Sequence, residues 1–155
     1  MRILVVEDDE FKAADLLRIL MVILPDATVT RAASVTSALR AISSNRFDLI
    51  VLDMSLPTFD LSGPGGGGSP QGQGGIELLR LARRINVLAQ YIIVTQFPDI
   101  EIDGLNVGLR HAAKRLSGRF GVDVLACLLY EFDSNDWQST FRDAVCEFIS
   151  GRRGE

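Results

Sequence analysis

FDLIVLDMSLP, Phe47 to Pro57, carries an apolar run, Leu49–Leu52 with β-branched Ile50 and Val51 at its centre, that ends on one carboxylate, Asp53. A strand with one wet face alternates apolar and polar residues, whereas a strand apolar on both faces belongs inside a sheet covered on both sides. RILVV (Arg2–Val6) has the same character and runs into three acids, Glu7, Asp8 and Asp9. YIIVTQF (Tyr91–Phe97) is another such strand, with Thr95 near its end. ATVTRAA (27–33) is weaker and half-buried, and VDVLACLLYEF (Val122–Phe132) makes a fifth.

Between these runs the apolar spacing becomes helical. From Glu10 to Leu24 the residues Phe11, Ala14, Leu17 and Leu20 or Met21 fall on one face, and Pro25 ends the helix. Ser34 is placed to cap a helix carrying Val35, Ala38, Leu39 and Ile42. GIELLRLARRI (75–85) puts Ile76, Leu79 and Arg83 in successive turns, with Leu78, Leu81 and Ala82 widening the face. Residues 98–121 are longer and less regular, with a helical centre near Leu109–Leu116. The last helix, capped by Ser134 or Asp136, buries Trp137, Phe141, Val145 and Phe148. Parallel strands need crossovers, so alternating strands and helices predict one α/β domain over 1–150, with 151–155 as a tail.

The bulk properties agree. A chain of 155 residues, 47% apolar, fills one core. A net charge of −4 argues against direct nucleic-acid binding, and no apolar run is long enough to span a membrane. Cys127 and Cys146 match no metal or redox spacing and read as free buried thiols, consistent with a cytoplasmic protein. His111 has no ligating neighbour, and the basic residues Arg80, Arg83, Arg84, Arg110, Lys114 and Arg115 read as solvated helix faces.

In an open parallel sheet, ligands bind beyond the carboxyl ends of the strands. Glu7, Asp8, Asp53 and Thr95 converge there. Crowded carboxylates raise one another's pKa unless a cation neutralises them, and magnesium is suited to the task. Asp9 and Glu10 instead fit the start of the following helix, where negative charge is favourable.

ILVVEDD, DLIVLDMSLP and IIVT, in this order, resemble the receiver domain of two-component response regulators over nearly the whole chain. The resemblance implies a flavodoxin-like (βα)5 fold with strand order 2-1-3-4-5. It implies that Asp53 is the phosphoacceptor in a phosphorelay, served by a histidine kinase or phosphotransfer protein and acting on a downstream protein target. It further implies Mg2+ at Glu7, Asp8, Asp53 and the Ser55 backbone carbonyl, with Thr95 moving toward the phosphoryl group and Pro57 in the acceptor loop. A homodimer is compatible with it. Enzymatic activity would be limited to phosphorylation of the chain's own aspartate, and Ser55, two residues after Asp53, is not the second aspartate of a phosphatase.

The chain also departs from the family. The lysine that closes strand five in receivers and pairs with the phosphoryl oxygens is absent, and Tyr130 and Glu131 stand where lysine and proline are expected. The chain has only two lysines, Lys12 in the first helix and Lys114 before strand five. Gln96 and Phe97 are bulky where a small residue normally follows the hydroxyl position, Cys127 stands near the switch aromatic, and the segment from Thr95 to Tyr130 is long. These departures sustain a second expectation, a phosphorylation-independent pseudo-receiver that acts as a protein-interaction module. Finally, Gly63–Gly75 holds eight glycines and two prolines in 13 residues, the composition of a flexible coil, and reads as an insertion after strand three beside Asp53.

Overall fold

The computed structural model describes residues 1–60 and 73–154. Its elements alternate as β1 (Arg2–Val6), α1 (Glu10–Ile23), β2 (Thr28–Ala32), α2 (Val35–Ser44), β3 (Leu49–Leu52), α3 (Gly74–Arg84) and β4 (Gln90–Thr95). A short hairpin follows, β5 (Asp99–Ile102) and β6 (Leu105–Gly108), then α4 (Leu109–Phe120), β7 (Asp123–Leu129) and α5 (Asp136–Arg153). Five strands form one sheet in the order β2-β1-β3-β4-β7, every pair parallel. With β7 counted as the fifth strand, this is the flavodoxin-like order 2-1-3-4-5 that the resemblance implies, in the covered parallel sheet that the apolar runs predict.

Strand pleating divides the core in two. Leu4, Val6, Ile50, Leu52, Tyr91 and Ile93 face α2, α3 and α4. Ile3, Val5, Leu49, Val51, Ile92 and Val94 face α1 and α5, where Leu16, Ile19, Leu20, Trp137, Phe141, Val145 and Phe148 complete the layer. The register sets what comes next. Val6 pairs with Leu52 and Leu52 with Ile93, so one step further Glu7, Asp53 and Val94 are neighbours at the carboxyl edge.

The structure corrects several sequence expectations. The buried face of α1 is Lys12, Ala13, Leu16, Ile19 and Leu20, while Phe11 and Met21 are exposed. The true face is thus turned about one residue from the one expected, and it carries a lysine inward. Arg83 is exposed on α3, and the N-cap position of α5 is Asn135, which makes no side-chain cap hydrogen bond, while Ser134 Oγ accepts from the Asp136 amide at 3.1 Å. The supposed tail is helical through Arg153. Cys146 is exposed and only Cys127 is shielded.

Residues 98–108 hold a hairpin instead of irregular chain. Asp103 and Gly104 both have positive φ, 52° and 79°, the geometry of a tight turn between antiparallel strands. Ile100 and Ile102 point into the core beside Ala112 and Leu116 of α4.

The glycine-rich segment ends earlier than expected. Gly74 and Gly75 are buried in the first turn of α3, and residues 63–72 of the tract lie outside the described residues. Space explains these two glycines: a Cβ on Gly75 would come within 2.8 Å of the Asp53 carbonyl oxygen and 2.7 Å of Met54 Cα, and one on Gly74 would strike the Leu56 carbonyl. The Gly75 amide also donates to the Met54 carbonyl at 3.0 Å. The helix thus butts directly against the backbone that carries Asp53.

Two outcomes follow from this packing. Gly75→Ala forces the Asp53–Met54 backbone aside, and urea unfolding should show it less stable by about 1–3 kcal/mol, the usual penalty for overpacking. Burial pushes the Cys127 thiol up to about 12, so at neutral pH a maleimide should label the native chain once, at Cys146, and the denatured chain twice.

Candidate functional site at the carboxyl edge of the sheet

The ends of β1 and β3 bring Glu7, Asp8 and Asp53 together, with one carboxylate oxygen of each within 4.8 Å of the others. Glu7 and Asp53 are buried, and Asp8 is half-exposed at the mouth. The ladder continues into the site: the Asp53 amide donates to the Val6 carbonyl and the Glu7 amide to the Ala32 carbonyl, both at 3.0 Å. Thr95, at the end of β4, is buried, and its hydroxyl accepts from the Phe97 amide at 3.2 Å. Ser55 and Pro57 follow in the loop after Asp53. That loop is held from the side by α2, whose first amides, Val35 and Thr36, donate to the carbonyls of Pro57 and Thr58.

Asp9 takes the other role foreseen for it. It caps α1, its side chain accepting from the Lys12 amide at 2.9 Å. Its own amide donates to Glu7 Oε1 at 2.9 Å. Arg31, reaching over from β2, donates to the Glu7 and Asp8 carbonyls and pairs with Glu10 at 2.7 Å. The acidic turn is thereby fixed from both ends.

The residue that sequence reasoning missed is Lys12. Its Nζ lies 2.6 Å from Glu7 Oε2 and 3.1 Å from Asp53 Oδ1, and donates to the Val94 carbonyl at 2.7 Å. The side chain is 1% exposed, so this is a fully buried ammonium between two buried carboxylates. The cap at Asp9 supplied the signal for it. Once Asp9 begins the helix, Lys12 stands in its first turn, directly after the acids, and only two residues in the chain are lysine.

The place expected for the missing cation is filled differently. Tyr130 follows β7, and its hydroxyl donates to Asp15 Oδ2 at 3.2 Å, not into the acidic cluster. Its ring lies 5.7 Å from Lys12 Nζ and 4.7 Å, centroid to centroid, from Trp137.

The electrostatics show the strain of this packing. Burial, and then the neighbouring Asp53 charge, raise Glu7 to about 7 despite the Lys12 ammonium. Burial likewise raises Asp53, against the pull of Lys12 and of a hydrogen bond from the Ser55 backbone. Two carboxylates and one ammonium leave net negative charge in a poorly solvated place. Glu7 Oε2 is paired with the Lys12 ammonium at 2.6 Å. An all-oxygen donor set with surplus negative charge fits a hard divalent cation such as Mg2+.

Comparison with known proteins agrees with this geometry. No family model matches the chain. It is 34% identical over 139 residues to the Detocs response regulatory protein DtcB of Vibrio alginolyticus, covering 88% of this chain and 93% of that one. The chain belongs to the response regulator receiver family. Receiver folds of known structure superpose throughout: a CheY-like receiver domain protein of Methanospirillum hungatei (TM-score 0.59, 21% identity, 97% of each chain) is one. The receiver domain of a LuxO repressor protein of Vibrio parahaemolyticus is another (TM-score 0.64, 17% identity, 98% of this chain and 92% of that one). A third, TrrA of Thermotoga maritima, was solved in complex with Mg(2+)-BeF (TM-score 0.56, 19% identity, 95% of this chain and 97% of that one). As a receiver domain the chain serves two-component signalling. Among the described residues no helix is long and apolar enough to cross a membrane.

Removing the buried cation should be costly. Lys12→Met leaves Glu7 and Asp53 facing each other without a counter-charge, and urea unfolding should register a loss of about 3–5 kcal/mol. Adding Glu7→Gln should recover part of it, because the two substitutions act on one interaction. Additive losses would show that the contact is energetically idle.

Proposed function

We propose that this receiver domain accepts a phosphoryl group on Asp53, with Mg2+ held by Glu7, Asp8, Asp53 and the Ser55 carbonyl. The convergence of three carboxylates at the end of two core strands carries the proposal. Mg2+, when bound, offsets the charge of the phosphoryl oxygens and of the acceptor. The remaining chemistry belongs to the chain. The Asp53 carboxylate attacks the donor phosphorus, the donor's bond to phosphorus breaks with its electron pair leaving on the donor, and an acyl phosphate forms. Asp53 is only 7% exposed, which limits the approach of water to that product, and Thr95, buried at the end of the adjoining strand, would supply a hydroxyl to a phosphoryl oxygen.

The donor is a histidine kinase, a phosphotransfer protein or a small phosphodonor, and the phosphorylated form acts on a downstream protein in the cytoplasm. Phe11, Phe59, Phe97 and Phe132 are all at least half exposed and lie on segments that leave the carboxyl ends of the strands, where a protein partner must approach Asp53. Exposed aromatics in such a position suit protein recognition.

One observation favours a second reading. Lys12 already supplies a cation to Glu7 and Asp53, so the domain can hold its acidic cluster without metal, as a pseudo-receiver controlled by partner binding would.

Intact-protein mass spectrometry after incubation with Mg2+ and acetyl phosphate decides between them. The expected result is a single phosphoryl adduct on the parent and none on Asp53→Asn. An unmodified parent that also fails to bind Mg2+ would establish the pseudo-receiver.

A further inference from the structure

Phosphorylating Asp53 replaces one carboxylate charge by a group carrying about −1.5 to −2 at neutral pH. Among the described residues, Lys12 is the only cationic side chain in contact with Asp53. β7 offers none at its end, where Leu128 to Trp137 contains no basic residue. We infer that Lys12, from the first turn of α1, is the side chain that binds the phosphoryl oxygens on Asp53, and that it does so by giving up the Val94 carbonyl. The inference rests on Asp53 being the phosphoacceptor.

Three features of the site support it. Nζ already touches Asp53 Oδ1 at 3.1 Å, so a phosphoryl oxygen added to that carboxylate falls within its reach. A lysine ammonium is a compact charge on a flexible stem, able to change acceptor without moving its helix. Its three present acceptors are unequal: Glu7 and Asp53 are carboxylates, whereas the Val94 carbonyl is neutral and is the weakest rival to a phosphoryl oxygen.

The exchange has a mechanical consequence. Val94 precedes Thr95, whose carbonyl accepts from the Tyr130 amide at 2.7 Å and whose hydroxyl accepts from the Phe97 amide. Releasing the Val94 carbonyl therefore frees the β4 end at the point where it is tied both to Tyr130 and to the turn bearing the exposed Phe97. The Tyr130 ring, under Nζ and against Trp137, feels the same displacement. The phosphoryl state of Asp53 is thus conveyed to β4 and to the segment after β7 by a lysine that belongs to neither.

Trp137 is the only tryptophan, so its emission reports on the site without a label. Parent and Lys12→Gln are titrated with Mg2+ and then, at saturating Mg2+, with beryllofluoride as the phosphoryl probe. Mg2+ should bind both, and beryllofluoride should bind Lys12→Gln about tenfold or more weaker, the loss expected for a charge-assisted contact. Equal beryllofluoride affinity and an equal Trp137 response in both would overturn the role of Lys12 while leaving Asp53 as acceptor. A parent that binds no beryllofluoride and gains no phosphoryl adduct would overturn the acceptor itself, and Lys12's role with it. Should Lys12→Gln not fold, the parent alone suffices: beryllofluoride should shift the Val94 carbonyl 13C resonance, because its hydrogen bond from Nζ is lost. A Val94 carbonyl that stays put while the Asp53 amide moves would sink the inference.

Discussion

A lysine ammonium buried between Glu7, Asp53 and the Val94 carbonyl is the constraint around which the carboxyl edge of this sheet is arranged. Burying a lone charge is prohibitive, and burying a pair is tolerable only when the geometry is tight and the remaining valences are met. Each neighbouring contact serves that condition. The Asp9 cap fixes where α1 begins and so where Lys12 points. Its amide holds Glu7 Oε1, turning Oε2 toward the ammonium. Arg31 anchors the carbonyls of the same turn. The parallel register then presents Asp53 on one side and Val94 on the next. The cluster is still not neutral, and burial first, then the neighbouring Asp53 charge, keep the pKa of Glu7 raised despite the ammonium.

The loop after Asp53 is constrained just as firmly at its two ends. On one side the N-terminal amides of α2 grip Pro57 and Thr58, while Ser37 donates to Asp60 at 3.1 Å. On the other, Gly74 and Gly75 let α3 press against Leu56 and Met54 with no room for a side chain. Whatever length of chain joins Asp60 to Gln73, both of its attachment points are fixed. Loop-closure entropy rises only slowly with length, so such an insertion leaves the frame around Asp53 intact.

Most of the fold was legible in the sequence because apolar strands buried on both faces announce a covered parallel sheet, and the acids at their ends announce the site edge. What was not legible traces to particular residues. In α1, Phe11, Ala13, Ala14, Leu16, Leu17, Ile19, Leu20 and Met21 surround most of the helix, so periodicity identifies a helix without fixing its phase. An error of one residue turns the face by about 100°, enough to put Phe11 inside and Lys12 in water. The hairpin had a clear local signal in EIDGLN, an Asp-Gly pair between alternating apolar residues. It was obscured because residues 98–121 read as one long, irregular stretch with its helical centre near Leu109–Leu116. Gly74 and Gly75 merged with the tract before them, since composition does not distinguish a glycine needed for close packing from one in a coil.

Lys12 and Tyr130 are best understood as one exchange. A phosphoryl-binding cation at the end of the last strand would couple the acceptor to that strand directly. Here the strand end carries an aromatic ring instead, and the cation arrives from the helix on the opposite side of the site. Coulomb attraction is indifferent to which element supplies the charge, but mechanical coupling is not. Tyr130 keeps the strand in contact by other means: its ring lies beside the ammonium, its hydroxyl holds Asp15 one turn along α1 from Lys12, and its amide holds Thr95. Those three contacts join α1, β4 and the segment after β7 into a single bracket around Asp53. Any rearrangement of Lys12 is therefore felt at the strand end, although the lysine belongs to α1.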